Sequence, residues 1–190
     1  MNRKGFTLVE LIAMLVVISI LMVIAIPNIT GILQDNRKSM GVEDVNKMVM
    51  GAKTKINTKK ANNPSSENSC VVLTLDYIDT NHDLVKGVNE GNYDRVDSFV
   101  VIKKVIVDHD DGGHPIYGYE YYVRLVETEG SKNYVLNFVN YEDFSQNPTA
   151  SVVQDSVSSI NGSVSNDEVK SIINSSGAVV SCGSVTHVYK

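Results

Sequence analysis

The sequence lacks the short motifs on which most enzyme sites depend. It contains no nucleophile placed beside a base, no glycine-rich phosphate loop and no pair of carboxylates spaced for acid–base chemistry. Its two cysteines, Cys70 and Cys182, are far apart and form no C-x-x-C motif. We therefore expect no catalytic residue, no cofactor and no enzymatic activity.

A basic overall charge is also missing. The 190 residues carry a formal net charge of −5, although the first five of them include two cations. Because a nucleic-acid-binding protein generally needs a basic face to neutralise phosphates, the acidic remainder predicts no specific nucleic-acid partner. One local group of lysines, which we interpret as a solvated helix end, consists of Lys53, Lys55, Lys59 and Lys60.

The two cysteines have two alternative states. In an exported protein we expect Cys70 and Cys182 to form a disulfide. The bridge would close a loop of about 110 residues, which chain-entropy models value at ~4–5 kcal/mol. In a reducing compartment both would instead be buried free thiols. The choice depends on whether the chain carries an export signal.

The first thirty residues combine a short basic leader, a glycine and a long apolar run. The run extends from Phe6 to Ile26 and is interrupted only by Thr7, Glu10 and Ser19. A helix of about 20 apolar residues is long enough to cross a bilayer core of ~30 Å. The cations of the leader place its N-terminal end in the cytoplasm. The pattern predicts a single-pass anchor with the body outside.

Two simpler interpretations of this segment fit less well. A cleaved secretory signal peptide has an apolar core of only about 7–15 residues and an A-x-A-like exit, and the nearby Ala25-Ile26-Pro27 is a poor exit. A plain signal anchor explains the length but gives no role to Glu10. A carboxylate in an apolar helix costs several kcal/mol unless it is paired, so its partner is expected on another chain.

Residues 4–10, Lys-Gly-Phe-Thr-Leu-Val-Glu, resemble the class III signal and cleavage site of type IV prepilins and pseudopilins. That motif has a basic residue, a glycine before the scissile bond, a phenylalanine after it and a glutamate as fifth residue of the mature chain. The apolar stretch that follows, with Pro27 near its end, also matches the family. The resemblance to the rest of the chain concerns architecture only.

The resemblance implies a processing and assembly route. A membrane prepilin peptidase would cut between Gly5 and Phe6, and the new amino group of Phe6 would be methylated. Glu10 would then pair with that amino group on a neighbouring subunit, and the helix would melt locally near Pro27 in the filament. The implied partners are other pilins in a polymer, the peptidase, the membrane and an inner-membrane assembly platform. The implied locations are the cell membrane before assembly and an extracellular pilus afterwards.

The pattern along the chain divides it into four segments. Residues 1–5 are the leader, 6–27 a transmembrane and assembly helix, 28–60 its amphipathic continuation and 61–190 a globular head. An apolar stripe at spacings of three and four predicts the helix face on which the head packs, and it consists of Val45, Met48, Val49, Ala52 and Ile56.

Three runs in the head predict consecutive antiparallel strands joined by short turns, and these runs are Ser98–Asp108, Ile116–Glu127 and Tyr134–Val139. We therefore expect an α+β fold in which a long N-terminal helix, transmembrane and then amphipathic, packs on an antiparallel β-sheet.

The remaining elements are less clearly marked. Val71–Leu75 reads as a strand, but Thr74–Thr80 is equally compatible with a short helix capped by Thr74. Near the C-terminus we expect a short helix from Asn166 to Asn174 and a last strand within Ala178–Val188, pinned by Cys182.

Two groups of side chains could form surface sites. The potential metal ligands Asp108, His109, Asp110, Asp111 and His114 cross a predicted hairpin turn and lack EF-hand spacing, so we interpret them as turn residues and expect no metal. The tyrosines Tyr117, Tyr119, Tyr121 and Tyr122 partly alternate on one strand, where cross-strand packing is favoured over an adhesive aromatic patch.

Three functional hypotheses follow. The first is a structural subunit of a type IV pilus, with adhesion, aggregation or twitching motility implied by the family. The second is a pseudopilin of a type II secretion or competence system. The third, from another class, is a membrane-anchored extracellular binding domain whose leader matches by accident.

Overall fold

A single helix, α1, dominates the N-terminal part of the chain and extends from Leu8 to Thr58, close to the expected end near residue 60. The computed structural model describes residues 7–59, 63–87, 91–129, 132–142, 153–155, 166–175 and 180–190. Two compact units divide the chain, with residues 1–37 in the first and residues 38–190 in the second.

The first unit contains the N-terminal part of α1. Its apolar side chains are exposed throughout Leu8–Val23, and the relative exposure of Leu8 is 79%. The sequence predicts a membrane span over residues 6–27. Within the residues that the structure describes, however, no helix combines the length and the apolar character needed to cross a membrane.

The second unit is built around one mixed β-sheet. Its strands and short helices follow the end of α1 along the chain and are β1 (Ser69–Thr74), α2 (Leu75–Ile78), β2 (Asn92–Tyr93), β3 (Phe99–His109), β4 (Pro115–Glu129), β5 (Lys132–Asn140), β6 (Val153–Asp155), α3 (Asn166–Ser175) and β7 (Ser184–Tyr189). The strand order is β6-β5-β4-β3-β1-β7, and β2 pairs with β4.

The predicted meander is confirmed, because β3, β4 and β5 pair antiparallel in succession. The expectation of a purely antiparallel sheet is wrong at one edge, where β7 lies parallel to β1 with Ser184 beside Ser69 and Tyr189 beside Leu73. Parallel neighbours need a long crossover connection, and the chain between β1 and β7 contains the rest of the sheet and α3. β7 is therefore an edge strand that lies beside β1 and runs in the same direction.

Both faces of the central part of the sheet, in β1 and the first half of β3, are covered. One buried cluster joins α1 to the sheet and contains the complete predicted stripe together with Val71, Leu73, Val100, Ile102, Val123 and Leu125. The opposite cluster joins α3 to the sheet and contains Cys70, Val72, Phe99, Val101, Tyr122, Val169, Ile173, Val180 and Val188. Strands buried on both faces read as continuous apolar runs, which explains why β1 and the first half of β3 do not alternate.

Thr74 reconciles the two alternatives for its segment. It is the last residue of β1, and its hydroxyl also accepts a hydrogen bond of 3.3 Å from the backbone N–H of Tyr77, which caps α2. Leu75 and Ile78 of α2 are buried against α1. A strand and a capped helical turn therefore follow each other directly.

Candidate functional site

The N-terminal end of α1 is organised by Thr7 and Glu10. Oε2 of Glu10 accepts a hydrogen bond of 2.8 Å from the backbone N–H of Thr7 and one of 2.9 Å from its hydroxyl. The hydroxyl oxygen of Thr7 accepts in return from the backbone N–H of Glu10 at 3.3 Å. This reciprocal arrangement is a capping box, which satisfies donors that a helix start leaves without a partner.

The capping box changes the interpretation of Glu10. The sequence predicts a partner for Glu10 on another chain, whereas the structure provides one, Thr7, three residues away. The spacing Thr-x-x-Glu before an apolar run is a known sign of a helix start and could have predicted this contact. Since an ionised carboxylate can accept about four hydrogen bonds, Glu10 retains capacity for a second partner. Its pairing with Phe6 of a neighbour stays a prediction, because Gly5 and Phe6 lie outside the described residues.

The polar groups within the exposed apolar run are satisfied inside the helix. Ser19 donates its hydroxyl hydrogen to the backbone oxygen of Leu15 at 2.7 Å, and Thr7 and Glu10 bond to each other. Apolar surroundings tolerate polar groups only when these groups have hydrogen-bond partners within the protein. The surface from Leu8 to Val23 is therefore suited to cover by lipid or by other apolar helices.

Pro27 lies inside α1, and the helix continues past it to Thr58. Proline removes one backbone donor from a helix interior, which makes this position a weak point in the hydrogen-bond ladder. The expected melting at Pro27 on assembly remains a prediction.

The structure joins Cys70 and Cys182 in a disulfide, with their Cα atoms 5.8 Å apart and a sequence separation of 112. Cys70 is fully buried in β1, and Cys182 precedes β7. The bridge therefore ties the segment before β7 to β1, the strand with which β7 pairs. The alternative of two free thiols does not apply.

The predicted hairpin tip between β3 and β4 is held by turn hydrogen bonds. Oδ1 of Asp110 accepts from the backbone N–H of Gly112 at 2.9 Å and of His114 at 2.8 Å, and the His114 ring nitrogen Nδ1 lies 3.2 Å from the same oxygen. The hydrogen bond from the His114 N–H holds the pKa of Asp110 below its usual value. Within the described residues, no three potential ligands are grouped as a metal would require.

The lysines near the end of α1 lie over aromatic rings. Nζ of Lys53 is 5.1 Å from the ring centre of Tyr121 and 5.0 Å from that of Tyr141, and Lys55 and Lys59 both lie over Tyr77. The interpretation of these lysines as a solvated helix end is therefore incomplete. The fourth lysine of the group, Lys60, lies outside the described residues. Cation–π contacts of this kind contribute about 0.5–1 kcal/mol each at exposed sites.

The predicted packing of the tyrosines holds for Tyr119, Tyr121 and Tyr122, whereas Tyr117 is exposed. Tyr119 and Tyr121 pack at the edge of the cluster beneath α1, and Tyr117 shares their side of β4. Tyr122 is buried on the opposite face with the α3 cluster.

The N-terminal motif identifies a class of protein. The family model for the prokaryotic N-terminal methylation motif matches residues 1–26. The resemblance to type IV prepilins and pseudopilins is thereby confirmed for the region that contains the leader, Glu10 and the apolar run.

Two curated bacterial proteins are similar to part of the chain. Competence protein ComGC of Bacillus subtilis (strain 168) is 48% identical over 54 residues, which are 28% of this chain and 54% of the relative. The ComG operon protein 3 homolog of Bacillus licheniformis is 60% identical over 30 residues, which are 16% of this chain and 31% of the relative. The chain thus spans about half the length of the first relative and about a third of the second. No solved structure matches the chain.

Proposed function

We propose that this chain is a structural subunit of a type IV pilus-like filament, made as a precursor and polymerised through its N-terminal helix. The observation that carries the proposal is the match to the methylation motif over residues 1–26, a region that includes the apolar surface exposed by α1 from Leu8 to Val23. An exposed apolar surface of this length requires a cover. Lipid supplies it before assembly, and the helices of neighbouring subunits supply it in the filament.

Processing prepares the helix for this exchange. A prepilin peptidase cuts between Gly5 and Phe6 on the cytoplasmic side of the membrane, where the basic leader holds the N-terminus. Cleavage removes the leader cations, and the new amino group of Phe6 is methylated. That amino group becomes the second partner of Glu10 on an adjacent subunit at the inner-membrane assembly platform. An ion pair that forms only between subunits can fix their register.

The named relatives favour one system among those that use such subunits. The Bacillus subtilis relative is a competence protein by name, which supports a pilin-like subunit of a competence system over one of type II secretion. A type IV pilus with roles in adhesion, aggregation or twitching motility is the second candidate. The two differ in the abundance of long filaments that shearing releases from the cell surface.

Mass spectrometry of the N-terminal peptide from a sheared cell-surface fraction tests the proposal. We expect a chain that begins at Phe6 and carries one added methyl group. A strain without its prepilin peptidase is the control and should retain Met1. A chain that begins at Met1 in normal cells, or after Ala25, would contradict the proposal and favour an anchored or secreted binding domain.

A further inference from the structure

The hairpin of β3 and β4 continues past the core of the head as a two-stranded ribbon. β3 is fully buried from Phe99 to Ile102, and its exposure increases along the rest of the strand. The ribbon is Ile106–Tyr117, which includes the turn. Its exposed apolar side chains are Ile106, Val107, Ile116 and Tyr117, with relative exposures of 36%, 61%, 44% and 45%.

The ribbon presents apolar side chains on both of its faces. Ile106 is paired with Tyr117 on the side of the sheet that carries α1. On the other side, Val107 lies across Gly118, where a Cβ would be only 2.5 Å from a Val107 methyl group. Glycine therefore lets Val107 lie flat on the ribbon. These four exposed side chains are therefore available for contact with another protein.

The turn at the end of the ribbon is acidic and well ordered. It contains Asp108, Asp110 and Asp111, and a backbone hydrogen bond of 2.9 Å from Asp110 to the carbonyl of His114 closes it. Oδ1 of Asp110 is used within the turn, where it accepts from the backbone N–H groups of Gly112 and His114 and so helps to hold the turn in place. The turn thereby fixes where the exposed carboxylates of Asp108 and Asp111 project, so a basic partner surface can meet them with little loss of conformational entropy.

A surface of opposite charge lies elsewhere on the same head. We define the lysine–tyrosine surface as Lys55, Lys59, Tyr77, His187 and Tyr189. Both lysines lie over the Tyr77 ring, at 5.2 and 5.9 Å, and Tyr77 stacks on Tyr189 with their ring centres 5.3 Å apart. His187 packs beside Tyr189 at 4.5 Å. The surface combines cations with aromatic area, which suits an acidic and apolar ligand.

The register of the sheet separates the two surfaces. The ribbon leaves the sheet beyond Lys103, which pairs with Cys70 near the start of β1. Tyr189 pairs with Leu73 near the other end of β1, and Tyr77 follows that end in α2. Because the two surfaces lie at opposite ends of β1, the ribbon cannot fold back onto the lysine–tyrosine surface of its own head.

We propose that the ribbon of one subunit docks on the lysine–tyrosine surface of a second copy of this chain. The carboxylates of the turn face Lys55 and Lys59, and the apolar ribbon side chains cover Tyr77 and Tyr189. Two different surfaces at opposite ends form a head-to-tail contact that repeats along a filament. This inference rests on the proposed function, and it adds a contact between heads to the one between N-terminal helices.

Cysteine cross-linking in the full-length chain tests the contact. We combine Asp111→Cys with Lys59→Cys, because Asp111 is exposed at the turn and its replacement leaves the hydrogen bonds of Asp110 in place. Whole cells are oxidised, and the sheared filaments are separated on a non-reducing gel. We expect a ladder of multimers, because each subunit then bridges two neighbours, whereas either single variant should give dimers at most. The native disulfide does not interfere, because Cys70 is fully buried.

The matched control combines Asp111→Cys with Ser171→Cys, since Ser171 is exposed on α3 away from both surfaces. We expect no ladder from this pair. An equal ladder from the control would overturn the proposal, as would filaments with methylated Phe6 and no ladder from Asp111→Cys with Lys59→Cys. An unprocessed N-terminus in the same sample would instead contradict the proposed function.

Charge exchange gives an independent test. Asp108→Lys with Asp111→Lys, and separately Lys55→Glu with Lys59→Glu, should each lower the yield of sheared filaments several-fold. The chain that carries all four changes should restore most of that yield, because opposite charges again face each other. Unchanged yields in both reversed variants, or no recovery in the combined one, would contradict the contact.

Discussion

The hydroxyl of Tyr93 donates a hydrogen bond of 2.8 Å to Oδ2 of Asp44, and this bond links α1 to β2 in a buried site. Burial raises the pKa of the Tyr93 hydroxyl, which therefore remains a neutral donor at ordinary pH. Burial also raises the pKa of the Asp44 carboxyl, while the Tyr93 hydrogen bond and Lys47 act in the opposite direction. This hydrogen bond holds α1 against β2, and the sequence pattern does not predict it.

Tyr93→Phe should destabilise the head. The substitution keeps the ring but leaves the Asp44 carboxylate buried without its hydroxyl donor, at a cost of about 1–3 kcal/mol. The free energy of unfolding of the full-length chain in detergent, measured by denaturant titration, checks this. Tyr117→Phe is the control, since Tyr117 is exposed, and it should change stability by less than about 0.5 kcal/mol.

The raised pKa of Asp44 predicts a specific pH dependence. The folded chain holds this proton more tightly than the unfolded chain, so the contribution of Asp44 to stability is highest below its usual pKa of about 3.9. It falls as pH rises through the raised folded value and is constant above it.

Asp44→Asn removes the titration and keeps an oxygen that accepts from Tyr93. The stability of this variant relative to the parent should therefore increase as pH rises from the usual pKa of an aspartate through the raised pKa of Asp44 in the folded chain, and it should be constant at higher pH. Unfolding curves measured from pH 3 upward check the difference, and a difference independent of pH would contradict the assignment to Asp44.

Removal of the disulfide should weaken the head substantially. The bridge closes a loop with a sequence separation of 112 residues, and loss of a native disulfide from an exported domain typically costs about 2–5 kcal/mol. We expect this loss for Cys70→Ala combined with Cys182→Ala, measured by denaturant titration without reductant. With reductant, the parent and the double variant should unfold at similar denaturant concentrations, and a persistent large difference would assign the loss to packing instead.

Gly51→Ala should destabilise the chain although alanine is the better helix former. A Cβ at position 51 would clash with Cγ2 of Ile78, so the Ile78 side chain or α2 has to shift. Overpacking costs typically about 1–3 kcal/mol and exceeds the gain in helix propensity of about 1 kcal/mol. Gly51→Ala should cost less stability when it is introduced into an Ile78→Ala background, and equal costs in both backgrounds would contradict the steric explanation.

Glu10→Ala should separate insertion from assembly. The variant should still reach the membrane and be processed at Phe6, but filament yield should fall about 100-fold or more, because loss of a buried ion pair costs about 3–5 kcal/mol. Immunoblots of the membrane and sheared fractions check both parts. Normal filaments from this variant would contradict the assembly role of Glu10.

Thr7→Val tests the in-chain partner of Glu10. It removes the hydroxyl that donates to Oε2 but keeps the backbone N–H donor, so its effect on filament yield should be smaller than that of Glu10→Ala. Thr7→Ser, which retains the hydroxyl, is the matched control and should behave like the parent. An effect of Thr7→Val equal to that of Glu10→Ala would show that the hydroxyl is indispensable to the role of Glu10.

The elements that the sequence predicts well are those specified by neighbouring residues. The spacing of Val45, Met48, Val49, Ala52 and Ile56 is a property of one helix, and all five side chains are buried as expected. The meander of β3, β4 and β5 follows from apolar runs separated by short turns. The prepilin-like motif is also local, because all of its positions lie within residues 4–10.

Only the tertiary structure decided the features that depend on distant parts of the chain. The parallel pairing of β7 with β1, the cover of the second sheet face by α3 and the bond between Tyr93 and Asp44 join segments tens of residues apart. Periodicity shows that a strand has a buried face, but it does not show which segment covers that face or which strand lies beside it. Those choices arise from the packing of the whole head, where many weak contacts compete at once.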